Sequence, residues 1–364
     1  MSGWREKKLG EFIYFQRGHD LPKSQMQAGS IPVAGSNGVI GYHNEATCDG
    51  KGITIGRSGN IGTPKYYSTK FWAHNTVLYV KNFFGNDEKF AFYLLKTLDF
   101  SGFNTGSAVP TLNRNYIHEL IISPPPLPEQ KAIADVLSAL DDKIDLLHRQ
   151  NHTLEQMAET LFRQWFVEEA REDWEEKPLS SIATFTNGLA CQKFPVQIGE
   201  RGLPVLKIKE LTSGISDSSD WATETVKSEY IVENGDIIFA WSASLMVKIW
   251  SGQKCVLNQH LFNVKSKDYP KWFYYEWCKF HLAEFISVAQ SHATTMGHIK
   301  RKDLDEAMVK IPSSETLATM SQTMKPLLDK RIVNSQQIQT LETLRDTLLP
   351  KLISGEVRAA FQTA

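Results

Sequence analysis

The chain has 364 residues, 41% of them hydrophobic and 22% charged, and a formal net charge of −1 at pH 7. This length and apolar content predict two or three domains with separate cores. The near-neutral charge argues against a free-standing, non-specific nucleic-acid binder, which is usually basic. The four cysteines lack CxxC spacing, which excludes a familiar zinc cluster and favours reduced thiols. Because no signal segment and no stretch of about 18 apolar residues occurs, we expect a cytoplasmic protein without a membrane span.

Residues 1–127 predict an α+β module that is mostly β. Short runs such as GITIG and TVLYV are bounded by Gly, Asn, Ser and Pro, which is typical of strands. The segment EKFAFYLLKTLDF (88–100) predicts an amphipathic helix, and we interpret its aromatic residues Phe92 and Tyr93 as core. The module has 13 Lys and Arg against 9 Asp and Glu, a net charge of +4.

Two loops of this first module carry groups that suit DNA contacts. GRSGNIGTPKYY (56–67) has small residues that let a backbone approach a ligand, with basic groups for phosphate or guanine. NTGSAVPTLNR (104–114) adds hydroxyls and an amide, which bond phosphates and base edges. One such loop alone is usually a turn, so each is a weak signal by itself. The candidate DNA contacts are Arg57, Ser58, Lys65, Ser107, Asn113 and Arg114.

A long helix is predicted after the prolines at 124–128. From residue 133 to 165 apolar residues recur in steps of four and three, which predicts a coiled-coil seam with Asn151 at an a position. An ordinary amphipathic helix, the alternative, rarely keeps a 3.5-residue period for so long. Residues 128–173 carry a net charge of −6, so we expect this helix not to lie along DNA. Its principal seam residues are Leu137, Leu140, Ile144, Leu147, Asn151, Leu154 and Leu161.

The sequence then repeats itself. WREKKLGEFIYFQRG (4–18) resembles WEEKPLSSIATFTNG (174–188), at an offset of 170 residues. VPTLNRNYIHELIISPP (109–125) aligns with MGHIKRKDLDEAMVKIP (296–312) at an offset of 187, so the second module is longer by 17 residues. We interpret the chain as a tandem repeat of one unit, a globular module followed by a long helix. Such a repeat predicts a molecule with pseudo-two-fold symmetry.

The second module contains the same kinds of segment as the first. YPKWFYYEWCKFHLAEFIS (269–287) predicts one helix, with Trp272, Tyr275 and Trp277 interpreted as core. The loops AWSASLMVKIW (240–250) and QSHATTMGHIKRK (290–302) stand opposite the two loops of the first module. Their candidate DNA contacts are Trp241, Ser242, Lys248, Thr294, His298, Lys300, Arg301 and Lys302. Among all candidates we expect Arg57 to read a base and residues 300–302 to contact phosphates.

A second long helix follows, with a less regular seam because Arg331, Asn334 and Arg345 occupy seam positions. Its apolar seam residues are Leu327, Ile338, Leu341, Leu348 and Leu352. Neither helix has a partner in its own repeat, so we predict an antiparallel coiled coil about 60 Å long that separates the two modules. The predicted division is module 1–127, helix 128–171, module 172–312, helix 313–356 and tail 357–364.

Catalytic and metal motifs are not found. SPPP (123–126) has proline where an amino-methyltransferase motif needs an aromatic residue to stack a flipped base. GRSGNIG lacks the G-K-[ST] of a phosphate loop. His148 and His152 have the i, i+4 spacing of metal ligands, but they fall at e and b positions of the heptad. We therefore expect neither a catalytic site nor a metal site.

Several motifs together resemble those of the specificity (S) subunits of type I restriction-modification systems. They are LPEQKAIADVLSALDDKIDLL (127–147), LEQMAETLFRQWF (154–166), the closing LLPKLISGEVR (348–358), GSAVPTLNR (106–114) and the tandem repeat. The resemblance covers essentially the whole chain. The second helix departs from it, because IPSSETLATM (311–320) replaces the usual proline-leucine-glutamine opening.

The resemblance implies that each module is a target recognition domain that reads one half of a split, asymmetric site in double-stranded DNA. It also implies that the helices dock two modification subunits, which carry S-adenosylmethionine and methylate adenine. Restriction subunits would join for cleavage with ATP and Mg²⁺, while this chain would bind no cofactor and catalyse nothing. Two other hypotheses remain: a coiled-coil adaptor with two peptide-binding modules, and a self-sufficient nuclease or methyltransferase with an unfamiliar site.

Overall fold

This computed structural model of the chain describes residues 4–100, 102, 111–291 and 297–360. The chain forms two compact units, one of Met1–Lys143 with Leu341–Ala364 and the other of Ile144–Thr340. Each unit contains one globular module and a part of each long helix. Within each unit the module buries core residues against the helix segments of that unit.

The first module is an α+β fold built from short strands. Its elements are β1 (Lys7–Lys8), α1 (Leu9–Phe12), β2 (Tyr14–Arg17), β3 (Ile31–Gly35), β4 (Gly38–His43), β5 (Gly52–Gly56), β6 (Pro64–Tyr67), β7 (Trp72–Ala73), β8 (Val77–Asn82), α2 (Glu88–Thr97), α3 (Arg114–His118) and β9 (Ile121–Ile122). The predicted helix over 88–100 is confirmed as α2, which starts at the N-cap Asp87, whose carboxylate accepts from the Phe90 N–H.

The strands of this module form three small sheets. Their orders are β2-β8-β5-β6, β4-β3-β7 and β1-β9. In the three-stranded sheet β3 pairs parallel with β7 and antiparallel with β4, which leaves β4 at an edge. The main core lies between the four-stranded sheet and α2, where Phe15, Ile55 and Phe90 are fully buried.

The first long helix is α4 (Leu127–Arg163), and it continues into one π-helical turn, Gln164–Glu168. Pro128 lies in its first turn, where a missing N–H costs nothing because those donors have no intrahelical partner. The seam residues Leu137, Ile144 and Leu147 are buried, whereas Asn151, Leu154 and Leu161 are half-buried. His148 and His152 are exposed, as predicted from their heptad positions.

The second module repeats the first. Its elements are β10 (Glu175–Pro178), α5 (Leu179–Ile182), β11 (Thr184–Asn187), β12 (Gly202–Leu206), α6 (Ile208–Ser213), β13 (Trp221–Thr223), β14 (Ile231–Val232), β15 (Ile237–Ala240), β16 (Met246–Ile249), β17 (Cys255–Leu257), β18 (Leu261–Lys265), α7 (Lys271–Phe280), α8 (Leu282–Ser291), α9 (Arg301–Glu306) and β19 (Met308–Ile311). The sheet orders are β11-β18-β15-β16, β13-β12-β17-β14 and β10-β19. They match those of the first module with β14 added.

The prediction of one helix over 269–287 is wrong, because α7 and α8 are separate helices. The chain breaks at His281, which caps α7 and whose Nε2 lies 3.0 Å from the Met308 carbonyl oxygen. The apolar pattern continues across this break, so periodicity alone could not show it. The aromatic residues Trp272, Tyr275 and Trp277 are buried in the core as predicted.

The second long helix, α10 (Ser314–Ser354), pairs antiparallel with α4 in both units. In the first unit Asp141 forms an ion pair with Arg345 at 2.9 Å. In the second unit Asn151 donates to Ser335 at 3.1 Å and Glu155 pairs with Arg331 at 3.1 Å. Partner numbers on α10 fall as those on α4 rise, so the predicted α+β fold with an antiparallel pair of long helices is confirmed. Of the α10 seam residues, Ile338 and Leu352 are buried and Leu327, Leu341 and Leu348 are half-buried.

Candidate nucleic-acid interface

The two loops that the sequence singles out lie side by side in each module. In the first module Ser58 forms a β-bridge with Thr111, and the Leu112 N–H donates to the Arg57 carbonyl at 2.8 Å. In the second module Ser242 forms a β-bridge with His298. There the Ile299 N–H donates to the Trp241 carbonyl at 3.1 Å. The same backbone bridge therefore joins corresponding loops in both repeats.

A third segment, which no local sequence motif marks, completes the cluster. We call it the recognition turn: residues 74–77 in the first module and 258–261 in the second. In each case the N–H of the fourth residue donates to the carbonyl of the first at 3.0 Å. The turn carbonyl of Thr76 accepts from the Arg57 N–H at 2.8 Å, and that of His260 accepts from the Trp241 N–H at 3.4 Å. The alignment of AHNTVLYV (73–80) with LNQHLFNV (257–264) at an offset of 184 would have revealed this turn.

Arg57 lies against the recognition turn of its module. Its Nε donates to the Asn75 carbonyl at 3.0 Å. Burial lowers the pKa of Arg57, the nearby charge of Arg17 lowers it further, and Asp20 opposes the effect. Arg17 itself pairs with Asp20 at 3.6 Å, so the three groups carry one positive charge in excess, which an anion would balance. The arrangement suits a phosphate or the acceptor edge of guanine.

Lys65 and Lys248 do not lie on loops, which corrects the sequence-based assignment. Lys65 is in β6, opposite Thr54, and Lys248 is in β16, opposite Ile238, so the two lysines occupy corresponding places. The Lys248 Nζ donates to the Leu211 carbonyl at 3.3 Å. A Cβ atom on Gly38 would lie 3.0 Å from the Lys65 Nζ. The Lys65 ammonium therefore lies near the first residue of β4, and the Lys248 ammonium lies against α6, which connects β12 and β13.

Trp241 takes the place of Arg57 in the second module. Its Nε1 donates to Asn187 at 3.2 Å, and its ring stacks on Phe262 with centroids 5.6 Å apart. The rings of His260 and His298 lie 6.0 and 6.3 Å from it. Ser242, a predicted DNA contact, is buried, and its hydroxyl lies 3.1 Å from the His260 Nδ1. An aromatic and imidazole surface thus replaces the guanidinium pair.

Several other predicted contacts also have partners within the protein. Asn113 is the N-cap of α3, where its side chain accepts from the Asn115 N–H at 3.0 Å, and Arg114 lies 5.9 Å from the ring centroid of Tyr14. In the second module Arg301 donates to the Phe185 carbonyl at 3.4 Å and Lys302 pairs with Glu306 at 2.9 Å. Lys300 immediately precedes α9 and is exposed. Ser107 and Thr294 lie outside the described residues.

The described part of the chain holds no group of three or more His, Cys, Asp or Glu side chains that could bind a metal ion. Burial raises the pKa of the Cys191 thiol to about 11 and that of Cys255 to about 12, so both thiols are protonated at neutral pH. None of the described helices is long and apolar enough to cross a membrane.

Comparisons with known proteins give a consistent result. Residues 1–156 and 171–343 match the family model described as the type I restriction modification DNA specificity domain. The chain is 29% identical over 301 residues to the type I restriction enzyme MjaIX specificity subunit of Methanocaldococcus jannaschii, a match that covers 74% of this chain and 69% of that protein. It is 32% identical over 160 residues to a putative type I specificity subunit of Mycoplasma pneumoniae, over 40% of this chain and 44% of the relative.

A solved structure shares the fold. The crystal structure of the type I restriction-modification system S subunit from M. genitalium superimposes with a TM-score of 0.67, covering 100% of this chain and 97% of that chain. The two sequences are 16% identical. At this identity the likeness concerns the architecture, in which two modules and two long helices recur.

Proposed function

Because this chain belongs to the type I restriction-modification DNA specificity family, we propose that it is the non-catalytic subunit that reads a bipartite, asymmetric DNA site, one half per module. One observation carries the proposal: the same three-segment cluster occurs in both modules with different side chains. Arg57 and Arg17 of the first module correspond to Trp241 and Asn187 of the second. Corresponding positions with different hydrogen-bonding chemistry are what two readers of different half-sites require.

The proposed partners follow from the family and from the charge distribution. Two modification subunits would dock on the helix pair, whose first helix region is acidic and therefore unsuited to DNA. These subunits would carry S-adenosylmethionine, and restriction subunits would use ATP and Mg²⁺. A specificity subunit with a net charge of −1 then relies on its partners for much of the phosphate contact.

A module exchange tests the proposal. Residues 1–127 are replaced by the first module of another family member, and methylated sites are mapped in cells that carry the modification subunits. We expect one half of the methylated sequence to change and the other half to stay. The reciprocal exchange of residues 172–312 is the matched control and should change only the other half. Alteration of both halves by either exchange would refute independent reading.

Two single substitutions test the roles of individual residues. Arg57→Ala should relax specificity at one position, because an Arg bonded to guanine is worth about 1–3 kcal/mol of discrimination. Lys300→Ala should weaken binding to all sequences alike and reduce the salt dependence, as loss of a phosphate contact does. Lys267→Ala, an exposed lysine that follows β18 at the end away from the recognition turn, is the control for loss of one surface charge. An unchanged methylation motif in Arg57→Ala would limit Arg57 to a phosphate or structural role.

A further inference from the structure

The recognition turns share one chemical feature although their surroundings differ. The second residue of the turn is an amide in both modules, Asn75 in the first and Gln259 in the second. We propose that these two amides each read an adenine, one in each half-site. The inference rests on the proposed function, because it names the base that a DNA-reading module would recognise at this position.

The backbone presents both amides in the same way. In each turn the N–H of the fourth residue bonds the carbonyl of the first, at 3.0 Å in both modules. The first residues of the two turns, His74 and Asn258, form parallel β-bridges with His19 and Leu189, respectively. A turn fixed at both ends places its second residue reproducibly, which direct readout of a base requires.

Amide chemistry selects the base. Asn and Gln recognise adenine in the major groove by accepting from the N6 amino group and donating to N7. Asn75 Nδ2 already donates one hydrogen bond to Asp20, which orients the amide plane and leaves its second hydrogen for N7. Gln259 Nε2 lies 3.4 Å from the His260 Nε2. Both amide residues are half-exposed, so they have a surface that a base edge can approach.

The groups around the two recognition turns differ between the modules. The bases that flank the shared adenine should therefore differ between the half-sites. Asn75 lies beside Arg57, whose Nε donates to the Asn75 carbonyl, whereas Gln259 precedes His260, whose ring centroid lies 6.0 Å from that of Trp241. A guanidinium can donate two hydrogen bonds to guanine, whereas an indole has a single N–H donor, so the two cannot make the same base contact. An adenine at the same place in each half-site, flanked by different bases, is therefore the expected target pattern.

The test uses the full chain in complex with its modification subunits and a duplex that carries the mapped target. Each adenine is replaced in turn by 7-deazaadenine, which lacks the N7 acceptor but keeps its base pairing. We expect one adenine in each half-site at which this replacement weakens binding about 2- to 12-fold, because the N7 hydrogen bond of the bidentate contact is lost while the N6 bond remains. In Asn75→Ala the penalty should disappear in one half-site only, and in Gln259→Ala in the other half-site only.

Matched controls distinguish this readout from general damage. Asn82→Ala removes an exposed amide at the end of β8 away from the recognition turn, and Gln253→Ala removes one before β17; both should keep every penalty of the unmodified chain. Asn75→Gln should restore part of the sensitivity that Asn75→Ala loses. If both turn variants keep both penalties, or weaken all sequences equally, adenine reading by these amides is refuted. If the unmodified complex shows no preference among DNA sequences, the proposed function itself fails.

Discussion

Arg358 donates hydrogen bonds from Nε and Nη2 to the two carboxylate oxygens of Glu129, at 2.5 and 2.7 Å. The Glu129 carboxylate is fully buried, and its Oε2 also accepts from the Trp4 indole at 3.2 Å. The guanidinium lies over the Trp4 ring, 5.3 Å from the centroid. These contacts join the start of α4 to Trp4, which precedes β1, and to Arg358, which follows α10. All three lie in the first unit.

Arg358→Ala should lower the free energy of unfolding by about 3 kcal/mol, because it leaves a buried carboxylate without its cation. Breaking a buried ion pair costs about 3–5 kcal/mol. We expect the low end of that range because the Arg358 side chain is half exposed. Urea denaturation measures it. Arg171→Ala is the matched control, since Arg171 corresponds to Arg358 in the repeat but pairs with Asp173, which is exposed. A loss in Arg358→Ala no larger than in Arg171→Ala would show that this pair contributes little.

The sequence predicted the helices at this junction but not the ion pair. Glu129 lies in the LPEQ opening of a clear heptad pattern, so the start of α4 could be read from local signals. Its partner is 229 residues away, and no local pattern marks such a pair. The repeat does not help either, because the residue corresponding to Glu129 is Thr316.

The candidate interface could be predicted from the sequence only in part, for the same physical reason. The loops around Arg57 and Trp241 were found because glycine, serine and basic residues cluster there in both repeats. The recognition turns were missed because their residues lie between strands, where an Asn or a His indicates only a turn. The sequence predicts loops at Lys65 and Lys248 because the neighbouring glycine and serine residues are typical of loops. The short strands β6 and β16 therefore could not be recognised.

Gly59 and Ala243 occupy corresponding positions in the two candidate loops, and both have left-handed backbone, with φ of 80° and 58°. A Cβ on Gly59 would meet only the Ser36 hydroxyl oxygen at 3.8 Å, so backbone strain alone opposes a side chain there. We expect Gly59→Ala to lower the free energy of unfolding by about 1 kcal/mol and Ala243→Gly to raise it by up to about 1 kcal/mol. Denaturant unfolding of each variant is the measurement.

Ser244→Gly controls for the flexibility that glycine adds to the unfolded chain. Ser244 follows Ala243 and is not among the residues with positive φ, so this change should destabilise slightly. Opposite signs for Ala243→Gly and Ser244→Gly would support the strain at Ala243. Equal losses in the two variants would argue against it.

Glu276 is a buried carboxylate in α7, and burial raises its pKa to about 7 against the attraction of Lys279 and Arg331. The Lys279 ammonium lies 4.0 Å from Glu276 but bonds Glu155 on α4 at 2.7 Å. The closer bond to Glu155 keeps Lys279 charged. The more distant Glu276 carboxylate gains too little attraction from that ammonium to offset the cost of its burial. Because the folded-state pKa exceeds the unfolded value near 4.5, stability should fall as pH rises from about 4.5 to about 7.

Glu276→Gln should remove this pH dependence. At pH 8 we expect the variant to be more stable than the unmodified chain by roughly 3 kcal/mol, since each pKa unit is worth about 1.4 kcal/mol. At pH 4.5 the two proteins should be nearly equal. Thermal unfolding across this range provides the measurement, with the exposed Glu224→Gln as a control for the change in net charge. An equal gain at both pH values would mean that ionisation of Glu276 is not the cause.

Asn334 lies fully buried in the seam between α10 and α4, and its amide is incompletely satisfied. Its Nδ2 lies 3.4 Å from the Gln150 Oε1, and its buried Oδ1 has no hydrogen-bond partner. An unsatisfied buried polar atom costs about 1–3 kcal/mol, while a seam amide limits the registers that the helices can adopt. Asn334→Leu should therefore raise the free energy of unfolding by about 1–3 kcal/mol.

The matched control for this last prediction is Gln150→Ala, which removes the partner on α4 but keeps the buried amide. It should lower stability by about 1 kcal/mol, because the Asn334 Nδ2 then loses its acceptor. Urea unfolding of both variants distinguishes the cases. If Asn334→Leu is less stable than the unmodified chain, then burying a leucine at this position is less favourable than burying the amide. In that case the buried Asn334 amide would stabilise the helix pair as well as fix its register.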